Sequence, residues 1–261
     1  MSVTGTMRAA YGYRHLLYSM VARNLKGKYK SSYLGFAWHF ITPAILILIF
    51  YIVFTGIRAE LVDNYWVYLC IGMFPFTFFQ SNLSSGSNCV VSEAGTIKKM
   101  YFPREIVVFA HIISTFITFI IAYSVIIVLM LLAGLHIGAF AILYLPLILF
   151  LSVLFATGYV LLLSALTVFV RDVHHFVDAI ARLLFFMTPI FYLTSEVSGL
   201  LEKVIWSNPF TYFIESYHDI LYQGVAPGLF QLGMCVLLAA AAFIIGAAVF
   251  SKLKGRFAEA L

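Results

Sequence analysis

The chain has 261 residues, 63% of them hydrophobic and 10% charged, with a formal net charge of +5. Soluble domains average roughly 25% charged residues, and a fold of this size has too little interior to hide so much apolar surface from water. The composition therefore excludes a water-solvated globule and makes lipid the solvent. In lipid the backbone must satisfy its own hydrogen bonds, which leaves helices or a closed barrel. Barrel strands alternate apolar and polar residues in short segments, whereas the apolar runs here are long, as from Ala110 to Leu135. The expectation is an all-α membrane protein.

Residues 1–13 read as a loose tail. Over 14–30, Leu16, Leu17, Met20, Val21 and Leu25 recur at helical spacing, with Arg14, Arg23, Lys26 and Lys30 on the other side. That pattern predicts an amphipathic helix lying in the headgroup plane. An ordinary surface helix of a soluble domain is the competing reading, but no soluble domain follows. The first 30 residues have no compact apolar stretch ahead of a small-residue cleavage site, so no cleavable signal peptide is expected.

Six membrane spans are predicted within one domain covering 1–261. The first is 34–55, with Trp38 near one end and Pro43 inside. A polar loop with Arg58, Glu60 and Asp63 leads to the second, 65–91, whose later half is polar and small (Ser81, Asn82, Ser84, Ser85, Ser87) and should meet protein or water rather than lipid. A charged loop, 93–105, precedes the third span, 106–132. A turn around Gly134 to Gly138 precedes the fourth, 141–170, which Arg171 and Asp172 end. The fifth, 176–193, carries Asp178, Arg182 and Pro189; the sixth is 229–250, followed by basic Lys252, Lys254 and Arg256.

Counting basic residues orients this topology. With the amino terminus in the cytoplasm, 13 of the 16 Lys and Arg fall on the cytoplasmic side; Arg58 and Lys203 lie outside and Arg182 within a span. This bias follows the positive-inside rule, puts both termini in the cytoplasm and favours an even number of spans. Segment 194–227 mixes Glu196, Glu202, Glu215 and Asp219 with Leu200, Trp206, Phe210 and Tyr212. It is too apolar for a free loop and too charged for a span, so an outer-face re-entrant helical hairpin divided at Pro209 is expected. No internal repeat is visible, which disfavours a pseudo-symmetric secondary transporter.

Catalytic and metal motifs are absent from the sequence. Gly27-Lys28 lacks the upstream glycine and the strand of a phosphate loop, so ATP hydrolysis is not expected in this chain. His174 and His175 are adjacent and point to different helix faces; they read as solvated residues at a span end. Cys70, Cys89 and Cys235 have no redox or metal spacing and read as buried thiols. The basic charge lies at span ends, where the membrane accounts for it without nucleic acid. Two features exceed this background. The loop 93–105 combines a helix-capable piece, a proline turn, mixed charge and aromatics, the anchors that a segment docking into a partner requires. Aromatic residues make up 17% of the chain; most are read as packing or interfacial belts, and a subset would offer ring faces to sugars along a passage.

Three strings carry a family resemblance: Arg23-Asn-Leu-Lys-Gly-Lys-Tyr-Lys-Ser-Ser-Tyr-Leu-Gly-Phe-Ala-Trp38 followed by Pro43; Lys98-Lys-Met-Tyr-Phe-Pro-Arg-Glu105; and Val170-Arg-Asp-Val173 with Thr188-Pro-Ile-Phe-Tyr192, Asn208-Pro209 and Glu215-Ser-Tyr217. Together they resemble the membrane permease subunits of polysaccharide-type ABC exporters, which export O-antigen, capsular or teichoic-acid chains. The resemblance spans nearly the whole chain. One departure is Asp219 after His218, where an Arg is expected nearby.

The resemblance implies a homodimer with two cytoplasmic ATP-binding cassette subunits in the bacterial inner membrane. ATP and Mg would sit on those partners, with no cofactor in this chain. It implies coupling to the ATPase through Glu93, Lys98, Lys99, Tyr101, Phe102, Pro103, Arg104 and Glu105. It implies a channel at the dimer interface, walled by the first and fifth spans and gated by the outer hairpin, with Tyr33, Trp38, Phe185, Phe191, Tyr192, Trp206, Phe210, Tyr212 and Glu215 along channel and gate. Arg23, Lys26, Lys28 and Lys30 would attract the pyrophosphate of a lipid-linked polysaccharide, although anchoring to membrane lipids explains the same residues. The alternatives are a permease for a drug or small lipid and a membrane assembly subunit without transport.

Overall fold

A computed structural model describes residues 12–27, 37–58, 64–132, 134, 138 and 140–261. Among these residues the chain is helical, with no strand. The long elements are α1 (Arg14–Gly27), α2 (Trp38–Arg58), α3 (Tyr65–Ser87), α6 (Glu105–Leu132), α7 (Leu145–Phe169), α8 (Asp172–Met187) and α11 (Leu229–Leu253). Short helix α5 (Ala94–Lys99) fills part of the expected 93–105 loop; α4 (Cys89–Ser92) precedes it, after α3 ends at Ser87, short of the expected span end at 91. Helices α9 (Leu200–Ser207) and α10 (Pro209–His218) form the expected divided pair, and α12 (Phe257–Ala260) ends the chain. Lys28, Lys30 and Tyr33 lie outside the described residues.

Local chemistry sets several boundaries. Thr188 leaves α8 with an extended backbone, because the ring of Pro189 disfavours helical geometry in the residue before it. Between α9 and α10, the Asn208 side chain accepts from the Phe210 backbone N–H while Pro209 takes the first helical position. A π turn, Asp219–Gln223, continues α10 and ends at Gly224, whose φ of 68° lies in the left-handed region that suits glycine.

Among the described residues, three helical stretches are long and apolar enough to cross a membrane: Glu105–Leu131 (27 residues), Ala141–Phe169 (29) and Leu229–Arg256 (28). The described apolar part of α2, Ala44–Val53, is shorter. Helix α3 is 23 residues long but carries Gln80, Ser81, Asn82, Ser84 and Ser85, and α8 runs for 16 residues with Asp172, Asp178 and Arg182.

Helix α3 is the centre of the fold, packed against α2, α6, α7, α8 and α10. Phe74, Phe76, Phe78 and Phe79 are all buried, which makes these mid-span aromatics packing residues. Phe79 meets Phe210 with ring centroids 5.2 Å apart, and Phe155 stacks on Phe213 at 5.0 Å. The polar half of α3 is turned to protein as expected. Asn82 is fully buried and accepts from Thr115 of α6 at 3.0 Å, Ser84 donates to Asp178 of α8, and Ser87 hydrogen-bonds His174 at 2.9 Å. His174 is therefore a half-buried contact of α3 and not the solvated residue that its position suggested; His175 is exposed. All three cysteines are buried free thiols, as expected.

On α1 the apolar side packs against α6, burying Met20 and Val21 with Leu16, Leu17 and Leu25 at the margin of the core. The apolar stripe read as a lipid-facing surface thus finds a protein partner.

Helices α7 and α11 touch backbone to backbone. A Cβ on Gly246 would lie 2.0 Å from the Gly158 carbonyl oxygen, and one on Gly158 would lie 2.3 Å from the Ala242 carbonyl carbon. Small residues permit such approach, which compensates for the lack of a hydrophobic drive between helices in lipid. Replacing Gly158 with Leu is expected to force the helices apart and cost ~1–3 kcal/mol or more. Gly233→Ala in the same α11, where a Cβ meets nothing within 4 Å, is expected to be neutral or to add about 0.5–1 kcal/mol. Thermal unfolding of the purified protein followed by tryptophan fluorescence checks both; equal melting temperatures would remove the glycine contact from the account.

Candidate functional site

Among the described residues, most of those singled out from sequence gather at two ends of the bundle. At the first end, Glu93 sits between α4 and α5. Arg23 of α1 pairs with its Oε1, and the Thr96 hydroxyl donates to Oε2 at 2.9 Å. Helix α5 places Lys98 and Lys99 in its last turn, where the helix dipole favours cations, and both are exposed. Met100 and Tyr101 follow, Tyr101 being 95% exposed. The chain then turns inward: Phe102 is buried, Pro103 and Arg104 are partly buried, and Glu105 in the first turn of α6 is buried and ion-paired with Lys254. The segment thus divides into anchors (Ile97, Phe102, Glu105) and a presented tip (Lys98 to Tyr101). Lys254 is a partner that the sequence reading missed, since nothing in its basic tail context distinguishes it.

Of the four basic residues expected to attract a headgroup, Lys26 is exposed and Arg23 is tied to Glu93. The Arg23–Glu93 bridge borders a cavity of about 570 Å³ beneath α1 that is also lined by Ser85, Asn88, His111 and His174. Ser85 and the following Asn88 therefore face this cavity, while Asn82, Ser84 and Ser87 face side chains of α6 and α8.

At the opposite end the segment after α8 is fastened to the start of α3. Tyr65 donates to the Phe191 carbonyl at 2.8 Å and Tyr68 to the Tyr192 carbonyl at 2.9 Å. Phe50 of α2 stacks on Phe191 at 5.3 Å and lies 6.0 Å from Phe185. The structure thus unites Phe185, Phe191 and Tyr192 through Phe50, Tyr65 and Tyr68, none of which was singled out. Trp38 stands half-exposed at the start of α2, well before Phe50. Trp206 and Tyr212 pair at 5.2 Å, and Phe210 is a buried core residue. His218 is fully buried, stacked on Tyr68 at 3.9 Å with its Nε2 3.1 Å from the Tyr68 carbonyl. Gly72 makes that fit possible, since a Cβ there would lie 3.0 Å from the same nitrogen.

Residues 15–222, from α1 through the π turn and so including both ends, match the family model described as ABC-2 type transporter. The chain belongs to the ABC-2 type transporter family. An O-antigen export system permease protein RfbA of Klebsiella pneumoniae is 29% identical over 246 residues, 94% of this chain and 95% of that protein. A protein of the same name from Myxococcus xanthus is 25% identical over 260 residues, 98% of each.

In this ABC-2 type chain the second end holds an uncommon carboxylate. Glu215 of α10 hydrogen-bonds Thr194 through one oxygen, while Oε1 is buried with no partner among the described residues. Burial, reinforced by Asp219 nearby, pushes its pKa from the ordinary 4.5 up to about 8. Asp219, where the family resemblance led us to expect a nearby Arg, is itself raised by burial and held by Gln231.

The folded protein keeps a proton on Glu215 that the unfolded chain loses above 4.5, so stability from the neutral carboxyl is full below about 4.5 and drains as pH rises to about 8. Glu215→Gln is expected to melt progressively higher than the parent protein across that window. Melting curves at several pH values test this; a constant offset would show that Glu215 is ionised throughout.

Proposed function

We propose that this ABC-2 type chain is the transmembrane subunit of an ATP-driven exporter that moves a lipid-linked, O-antigen-like polysaccharide outward across the bacterial inner membrane. The observation that carries the reading is the end-to-end similarity to O-antigen export permeases, covering 94–98% of this chain. Six spans then cross the bilayer: the three apolar stretches above together with α2, α3 and α8, with Asn82, Ser84 and Ser87 of α3 meeting α6 and α8. Both termini lie in the cytoplasm, α1 rests at the headgroup level, and α9 with α10 forms the re-entrant outer hairpin.

The geometry supports roles for the two ends. The tip Lys98 to Tyr101 offers two cations and an exposed aromatic ring, the chemistry of an interface hot spot, and docks into a cytoplasmic ATPase subunit that holds ATP and Mg. Two permease chains form the channel at their shared interface, walled by α2 and α8, whose exposed apolar residues include Ile45, Ile49, Leu183 and Phe186. Phe185, Phe191, Tyr192 and Glu215, with Trp206 and Tyr212 of the hairpin, form the outer gate.

Proteoliposomes containing this chain and its ATPase partner are expected to translocate lipid-linked polysaccharide on addition of ATP. Stimulation of ATP hydrolysis by short lipids or drugs but not by glycan would assign the chain to small-substrate export instead. Replacing Lys98, Lys99 and Tyr101 together with Ala is expected to weaken ATPase association by tenfold or more, on the order of 2 kcal/mol, as for an interface hot spot. Co-purification at graded concentrations measures it, and unchanged recovery would strip the tip of its role.

A further inference from the structure

The joint between α5 and α6 has little backbone to stiffen it. Met100 is extended, residues 101–103 belong to no helix, and the next turn begins only where the Ile106 N–H reaches the Pro103 carbonyl. A push delivered at the exposed tip would bend such a joint before it moved α6, unless side chains brace it. Phe102 supplies one brace by burial. The others come from the far end of the sequence.

After α11, a 3-10 turn, Lys254–Arg256, and α12 fold back over this joint. Lys254 Nζ donates to Glu105 Oε1, where the glutamate side chain is 8% exposed and the lysine 23%. Phe257 is completely buried although it follows three exposed or half-exposed residues of a basic tail. Its ring stands perpendicular to Phe250 at 5.2 Å and lies 6.1 Å from Phe169, and the Arg104 guanidinium lies 5.8 Å from its centroid. Helix α12 also packs against α5 itself and against α7. The last residues therefore contact the joint at Arg104, at Glu105 and from the α5 side, while α7 and α11 fix their own position.

We propose that residues 254–261 are a positioning strut for the coupling segment, with Lys254 and Phe257 as its working residues. The strut holds Arg104 and Glu105 against the ends of α7 and α11, so that displacement of the tip turns α6 as a lever instead of flexing the loop. This rests on the coupling reading above. Lys254 and Phe257 touch neither substrate nor ATPase in this scheme; they act through Arg104 and Glu105. A tail that merely covered apolar surface would require Phe257 but not a cation paired with a nearly buried carboxylate.

The test uses the complete complex with its ATPase in proteoliposomes and reads polysaccharide translocated per ATP hydrolysed, alongside ATPase association and melting temperature. Lys254→Gln and Phe257→Ala are expected to leave association and hydrolysis intact and to lower translocation per ATP by about fivefold or more. Lys254→Arg is expected to restore it. If Phe257→Ala reduces the amount of folded protein, Lys254→Gln, at a partly exposed position, carries the test alone. An unchanged ratio in Lys254→Gln, or translocation and hydrolysis falling together, overturns the strut. The tip variant at Lys98, Lys99 and Tyr101 separates the two proposals: if it too keeps association and coupling, the coupling reading fails; if it loses them while Lys254→Gln does not, only the strut fails.

Discussion

The polar half of α3 can be buried only because its neighbours supply hydrogen-bond partners for it. Asn82 and Ser87 are buried and Ser84 is partly buried, and a buried polar group left unsatisfied costs ~1–3 kcal/mol. Thr115 of α6 and Asp178 and His174 of α8 meet them. Each bond fixes the rotation of a neighbouring helix about its own axis. Apolar packing alone would not, because side chains of similar volume tolerate sliding. With α6 and α8 oriented by α3, the aromatic layer of Phe76, Phe79, Phe155, Phe210 and Phe213 closes the other side of the same helix.

Helix α3 also joins the two ends that carry the candidate chemistry. Its first turns hold the segment after α8 through Tyr65 and Tyr68 and seat His218 over Gly72. Its last turns hold α8 through Ser84 and Ser87 and lead into Glu93 and the exposed tip Lys98 to Tyr101. Twenty-three residues at 1.5 Å each make it about 34 Å long, close to the hydrocarbon thickness of a bilayer. In the proposed exporter, a stiff helix in contact with both ends is a physical path along which a stroke at one would reach the other.

Charge is distributed unequally between those ends. At the first, carboxylates and cations are matched, Glu93 with Arg23 and Glu105 with Lys254. At the second, Glu215 and Asp219 face each other and burial favours the neutral acid. In the proposed gate, a neutral carboxyl would offer a hydrogen-bond donor beside the aromatic rings without placing a fixed charge in the path of a long polymer.

Composition alone excluded a soluble fold, because the balance of apolar and charged residues decides the solvent whatever the chain's path. Helical periodicity and proline placement located α1 and the α9–α10 division, because those signals act within a few residues; the fifth span, expected to run through Pro189 to 193, instead ends at Met187, where the proline stops the helix. The strings around Lys98 to Glu105 and Thr188 to Tyr192 were enough to suggest the family. The sequence was silent wherever partners lie far apart along the chain. It gave no sign that Arg23 is engaged by Glu93, that His174 of α8 contacts α3, that Phe50 completes the aromatic group, or that Lys254 and Phe257 return to the segment 93–105. It read the apolar face of α1 as meeting lipid, where α6 in fact covers it, since both surfaces select the same residues. Periodicity reports which face of a helix is apolar; only the packed structure decides what that face touches.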